Sequence, residues 1–278
     1  MANEIYPCFW FNQNATEAAT FYQGIFDRCE IVDQNPFVVL LHINDQRIML
    51  LNGGPQFKIN PSLSLFVNCT SADRVQAIWE YLLQGGKALI EIGAHPWSAQ
   101  YGWLQDKYGV TWQISIANKQ QDSESITPSL LFTSSAFGKA EAAMNRYVRL
   151  FPNSSMTTLM HYGVGVFEEG KVLYAEFELN GQRMIAMDGP GAHDYVFNAG
   201  GSMVVNCASQ AEIDMYWIAL SAGGIEEMCG WLVDEFGLSW QIVPSKLGSL
   251  MTDPDRSQRV MKELCLMKKI ELSILENA

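Results

Sequence analysis

Hydrophobic and polar positions along the chain change period in a repeated order. Residues 5–11 form an almost unbroken apolar run, and 15–26 place Ala18, Ala19, Tyr22, Ile25 and Phe26 at helical spacing. Short runs rich in branched and aromatic residues follow at 29–32, 37–43 and 47–51, separated by Asn-Pro and Asn-Asp turn signals, and predict three strands. The whole unit reads βαβββ. A second unit begins at 64–69. Ser71 is placed to cap a helix carrying Val75, Ile78, Trp79, Leu82 and Leu83, which stops at Gly85-Gly86, and further strands are predicted at 88–92, 101–105 and 110–116. Residues 119–125 are polar and aperiodic and read as a linker. In the tail, Val260, Met261, Leu264 and Cys265 recur at near-helical intervals, which predicts a packed helix rather than a free end.

The same order returns after the linker, because the chain is an internal duplication. Asn44, Gln46 and Arg47 reappear as Asn180, Gln182 and Arg183; Val67-Asn68-Cys69 as Val205-Asn206-Cys207; Trp79 as Trp217; and Gly85-Gly86 as Gly223-Gly224. The longest match runs from Gly102-Trp103-Leu104, Asp106, Gly109 and Trp112-Gln113-Ile114 to Gly230-Trp231-Leu232, Asp234, Gly237 and Trp240-Gln241-Ile242. The offset is 138 residues up to Gly86 and 128 from Gly102 onward, so the first copy carries ten extra residues near 91–100, including His95-Pro96-Trp97. A loop there is expected to cover one site and make the two copies unequal. The organisation is a first domain at 1–118, a linker at 119–125, a second domain at 126–243 and a helical tail at 244–278.

Composition narrows the class. Of the 278 residues 48% are apolar and 17% charged, against roughly 25% charged in an average globular protein, so a large buried core is expected and disorder is not. Thirty acidic and eighteen basic residues give a net charge of −12, which disfavours nucleic acid and anionic membranes as partners. The first eleven residues hold no Lys or Arg, and no apolar run approaches the ~18 residues of a membrane span, so a cytoplasmic location is expected. Six cysteines at wide spacings, with no CxxC, argue for free thiols rather than a zinc site or a disulfide scaffold.

Two βαβββ units per copy, closed by a strand of the form Gly-x-x-Trp-Gln-Ile, resemble the vicinal oxygen chelate superfamily of glyoxalases, bleomycin-resistance proteins and extradiol dioxygenases. Residues 5–11, the Glu141-Ala142-Ala143 helix with Tyr147, the segment 179–183, Val205-Asn206-Cys207, 229–232, and Asp253-Pro254-Asp255 in the tail are similar to its PhnB-like branch, whose members are often labelled demethylubiquinone methyltransferase-like. The resemblance implies an α+β fold in which tandem βαβββ units form two curved-sheet cups, with the two copies as a covalently fused pseudo-dimer and C-terminal helices added. Further self-association stays open.

Enzymes of that superfamily hold a divalent metal with His, Glu or Gln side chains from the first, fourth, fifth and eighth strands of a cup. By strand position those places fall on Pro7, Met49 or Leu50, Ser62 and Gln113 in the first copy. In the second they fall on Pro128, Ile185 or Ala186, 200–202 and Gln241. One amide per copy is a poor ligand set, so no metal and no other cofactor is expected. Alternation along the closing strand places Thr111 and Gln113 on the cup face, and the same reasoning assigns Phe9, Phe11, Ser64 and Phe66 to the first cup. Leu130, Phe132, Ser202, Val204, Ser239 and Gln241 are the second-copy equivalents. Such an apolar cavity with a few amides and hydroxyls suits a small organic ligand.

No catalytic residue stands out. His42, His95, His161 and His193 share no metal-ligand spacing, Cys8 and Cys229 have no basic neighbour in sequence, and Asp106 and Asp234 precede glycine turns that a carboxylate commonly caps. The glycine-rich loop of an adenosylmethionine-dependent methyltransferase is missing, since Gly163-Val164-Gly165 lacks a third glycine and Gly189-Pro190-Gly191 is broken by proline. The leading expectation is a metal-free small-molecule-binding protein. The alternatives are an enzyme (lyase, dioxygenase or transferase) acting on a small oxygenated substrate, and a non-catalytic interaction module.

Overall fold

The computed structural model describes residues 4–117 and 123–278. The first copy contributes β1 (Ile5–Trp10), α1 (Ala15–Gln23), β2 (Cys29–Gln34), β3 (Val38–Ile43) and β4 (Gln46–Leu51), then β5 (Leu63–Cys69), α2 (Ala72–Leu82), β6 (Lys87–His95), β7 (Ser98–Gln105) and β8 (Thr111–Ile116). The second contributes β9 (Ser125–Phe132), α3 (Ala140–Leu150), β10 (Ser155–His161), β11 (Val172–Leu179) and β12 (Gln182–Asp188), then β13 (Gly201–Cys207), α4 (Gln210–Ser221), β14 (Ile225–Glu226), β15 (Trp231–Val233) and β16 (Ser239–Pro244). The tail folds into α5 (Leu247–Leu250), α6 (Pro254–Leu264) and α7 (Leu272–Glu276). Residues 119–122 of the expected linker lie outside the described residues, and Ser125 already belongs to β9.

The helices start where their capping chemistry dictates. Ser71 accepts from the Arg74 amide, Ser209 from that of Glu212, and Asp253 from that of Arg256 with Pro254 in the first turn. On α1, the buried residues Ala15, Ala18, Ala19 and Tyr22 form one stripe against the sheet. Among the described residues, no helix is long and apolar enough to cross a membrane.

Two eight-stranded curved sheets result, and each draws one βαβββ unit from each copy. The first, cup A, has the order β14-β15-β16-β13-β1-β4-β3-β2; the second, cup B, has β10-β11-β12-β9-β5-β8-β7-β6. Their centres are the antiparallel pairs β1 with β13 (Cys8 opposite Ser202) and β5 with β9 (Ser64 opposite Ser129). The expectation that first- and fifth-strand residues of one copy line one cup is therefore corrected, because the segments 52–62 and 189–200 carry the chain from one sheet to the other. These segments clasp one another, with Asn60 Nδ2 donating to the Val196 carbonyl at 2.8 Å and Asn198 Nδ2 to the Lys58 carbonyl at 3.2 Å. Reciprocal amide bonds between Gln46 and Gln182, at 3.1 and 2.9 Å, join equivalent residues of the two copies as in an isologous dimer interface.

The main core lies behind both sheets. It takes Phe9, Leu65, Trp112, Leu130, Met203 and Trp240 from the strands and the apolar stripes of α1 to α4. A second apolar cluster fills cup A. Tyr6, Cys8, Leu40, Val204 and Val243 from the strands meet Leu250, Val260, Leu264, Ile270 and Leu275 from the tail. The tail thus packs inside a cup, which the sequence pattern does not reveal.

Candidate functional site

Period-two alternation decides which side chains face each cup. On β5 and β8, Leu65, Val67, Trp112 and Ile114 enter the main core, which leaves Ser64, Phe66, Thr111, Gln113 and Ser115 on the opposite, cup-facing side. On β13 and β16, Met203, Val205, Trp240 and Ile242 enter the core and leave Ser202, Val204, Ser239 and Gln241 facing cup A. The first strands run in the other phase. Phe9, Phe11, Leu130 and Phe132 are core residues, at most 1% exposed, and their assignment to the cups is corrected. Tyr6, Cys8 and Trp10 in β1 and Thr127, Ser129 and Leu131 in β9 take the cup-facing phase instead. A fully apolar strand gives no sign of its phase, because both of its faces are buried.

At the floor of cup B, Gln113 Nε2 donates to Ser64 Oγ at 2.8 Å and Ser129 Oγ at 3.3 Å, while its Oε1 accepts from Tyr101 Oη at 2.9 Å. Ser98 and Ser115 hydroxyls lie 2.8 Å apart beside this network. Above it, Phe66, Tyr101 and Ile185 pack with the half-buried Trp103, Tyr174 and Met187. The Trp103 indole N–H is buried without an acceptor among the described residues, and Tyr174 Oη donates to Glu176 at 2.7 Å on the rim. The ten-residue insertion is not a covering loop but the tip of the β6–β7 hairpin. Its His95 and Trp97 stack at 4.9 Å and both reach the Tyr101 ring, at 5.3 and 5.8 Å, which ties the insertion to the cup floor.

Cup A repeats the floor with one change. Gln241 Nε2 donates to Ser202 Oγ at 3.0 Å, and Cys8 stands where cup B has Ser129, with Gln241 and Ser202 within hydrogen-bonding contact of its thiol. Burial pushes the Cys8 thiol up to about 12, so it is protonated at neutral pH and unsuited to nucleophilic attack. Burial likewise raises Cys229 to about 11. Lacking the insertion, the second copy has only the short β14 and β15 here, and the tail takes the vacated space. The Cys229 and Gly230 amides donate to the carbonyls of Met267 and Lys268 at 2.7 and 2.8 Å. Gly230 has φ +81°, and a Cβ there would lie 2.8 Å from Ile270, so both conformation and clearance require glycine.

The metal-ligand positions can now be tested in place. Register sets Ser129 beside Ser64 and Ile185 in cup B, with Gln113 bonded to both serines; cup A has Cys8 beside Ser202 and Met49, with Gln241. Neither set supplies an imidazole or carboxylate, and neither fits a divalent cation. Among the described residues, no group of three or more His, Cys, Asp or Glu side chains converges.

Asp106 and Asp234 do more than cap a turn. Asp106 accepts from the Tyr108 and Val110 amides and also from Tyr22 Oη at 2.8 Å and Trp112 Nε1 at 2.9 Å, pinning α1 to β8 behind the sheet. Burial outweighs these four donors and lifts its carboxyl to about 6. Asp234 repeats every contact with Phe236, Leu238, Tyr147 and Trp240, and burial raises its pKa as well. Neither carboxylate is in a cup.

Comparison with known proteins agrees with this geometry. The solved structure of the PhnB protein from Bacillus cereus is 31% identical over 40% of this chain and 98% of its own, with a TM-score of 0.38. Glyoxalase I from Zea mays is 12% identical and aligns over 95% of this chain and 96% of its own with a TM-score of 0.54, a likeness of fold. No curated protein matches the sequence. The profile of the 3-demethylubiquinone-9 3-methyltransferase family matches residues 3–115 and again 124–243, one match per copy, and the chain belongs to that PhnB-like family of the glyoxalase fold as a two-copy member.

Proposed function

We propose that the protein binds a small, oxygen-bearing organic molecule in cup B, without a metal, and that cup A is a structural counterpart sealed by the tail. The observation that carries this reading is the amide-hydroxyl floor of Tyr101, Gln113, Ser64 and Ser129 under an aromatic cluster whose Trp103 N–H has no acceptor. A buried donor left unpaired costs about 1–3 kcal/mol, and a carbonyl or hydroxyl oxygen of a ligand would satisfy it. Trp103, Tyr174 and Met187, which cover this floor, are only partly buried. In cup A the same floor lies under five tail residues, each worth about 1.5–3 kcal/mol when fully buried, so the tail competes with any ligand.

The family label names methyl transfer, yet the chemistry supported here is recognition: neither cup floor carries an ionised nucleophile or a general base. Native mass spectrometry after incubation with a panel of small phenols, quinones and keto acids tests the reading. The wild-type chain and Gln241→Leu should each carry one adduct that is lost on unfolding, and Gln113→Leu should carry none. An adduct retained by Gln113→Leu, or a bare wild-type chain across the panel, overturns it.

A further inference from the structure

Away from the floors of both cups, a cavity of about 440 Å³ opens where the end of β1, whose Trp10 also meets Trp231 at the edge of cup A, approaches the 57–59 segment and the turns at 85–87 and 105–109. Its walls combine three partly exposed aromatic rings, Trp10, Phe57 and Tyr108, and the buried Phe11 with three lysines, Lys58, Lys87 and Lys107. In a chain of net charge −12 with only ten lysines, three border this one cavity. Among the described residues, no carboxylate lies within ion-pair distance of any of the three. Asp106 borders the cavity, but its oxygens are engaged by Tyr22, Trp112 and two backbone amides, and Glu17 accepts from Tyr108 Oη at 2.8 Å.

The rings are held for contact. Trp10 donates its indole N–H to the Gly54 carbonyl at 2.8 Å and meets Phe57 edge-on at 5.0 Å. Lys107 Nζ sits 4.5 Å from the Phe21 ring on α1 and 5.0 Å from the Tyr108 ring, and the Lys58 backbone is fixed by Asn198. The duplication supplies an internal control. Equivalent positions in the second copy replace Lys87 with Ile225 and Lys107 with Glu235, the latter paired with Arg146. The second copy thus builds the equivalent turns without either lysine, and the charge is particular to this cavity.

We infer that this cavity is a second binding site, independent of cup B, for a small planar aromatic carboxylate whose ring lies against Trp10 and Phe57 and whose charge is met by the lysines. The test follows the tryptophan indole N–H resonances of the full chain, with Trp10 assigned through Trp10→Phe, during titration with naphthoate and with its neutral isostere naphthamide. Naphthoate should shift Trp10 saturably and leave Trp103 in place. Naphthamide, and naphthoate on a Lys87→Ile/Lys107→Glu variant carrying the second copy's own residues, should each bind about tenfold more weakly, the scale of one or two partly screened charge pairs. The variant's melting temperature should be unchanged; if it falls, Lys58→Gln serves the same comparison. Shifts centred on Trp103, equal binding of the neutral isostere, or affinity indifferent to the lysines overturns the inference. Binding at Trp10 that persists in Gln113→Leu separates this site from the cup B reading, so either can fail alone.

Discussion

The two cups start from one repeated sequence and end differently. Both have a glutamine on the closing strand hydrogen-bonded to a serine across the floor, and both draw their central strand pair from the two copies. In cup B the ten-residue insertion builds the β6–β7 arm and brings His95 and Trp97 onto Tyr101. In cup A the arm is missing, Cys229 occupies the position of Tyr101, and the tail binds the exposed edge and fills the interior. Duplication followed by a small length difference has thus separated a cup lined by its own aromatic cluster from one filled by the tail. Each cup in this structure takes one βαβββ unit from each copy.

The comparison can be broken most forcefully at the tail. Ile270→Ala and Leu264→Ala each remove a buried side chain from cup A and should lower stability by about 2–5 kcal/mol, read from urea midpoints. Adduct formation in cup B should survive both; its loss would show that the cups are coupled. A smaller effect is expected at the floors. Gln113→Leu leaves Tyr101 Oη, Ser64 and Ser129 without their shared partner and should cost about 1–3 kcal/mol. Gln241→Leu frees fewer groups, because one of its neighbours is the weakly bonding Cys8, and should cost less in the same unfolding assay. Equal costs would mean that Ser129 and Tyr101 contribute nothing beyond packing.

The finest distinction is in pH dependence. Asp106 binds its proton more tightly in the folded chain than in the unfolded one, with its pKa at about 6 against 3.8. Its contribution to stability is therefore greatest below the unfolded value, falls as pH rises from 3.8 to about 6, and stays low above that. Asp106→Asn should flatten this part of the stability profile by on the order of 3 kcal/mol. A slope unchanged in the variant would assign the titration elsewhere, with Asp234, shifted in the same direction, the next residue to replace.

Much of this architecture was legible beforehand. The βαβββ order, the duplication, the Ser71 cap and the glycine stops follow from local periodicity and turn chemistry, which act over a few residues and leave their mark in the pattern. The closing-strand residues Gln113 and Gln241 were placed on the right face because their polar alternation reports its own phase. Phe9, Phe11, Leu130 and Phe132 were misplaced because an apolar strand between two hydrophobic layers carries no such report. Tyr101, Ser129, Trp103 and Tyr174 were missed for a related reason: an isolated tyrosine or serine becomes part of a site only through register with another strand.

By itself, then, the sequence determined the units: which segments become strands or helices, where they stop, how many times they recur, and that a strongly acidic chain carries a large apolar core. Which units share a sheet, which cup receives the tail, and where three lysines meet three aromatic rings were decided only in the tertiary structure. Those outcomes depend on pairings between residues 200 or more positions apart, as with Tyr6 and Asn206 or Trp10 and Trp231. Burying an apolar face rewards any partner of the right shape, so the choice among partners is made by the assembled geometry and leaves no local trace.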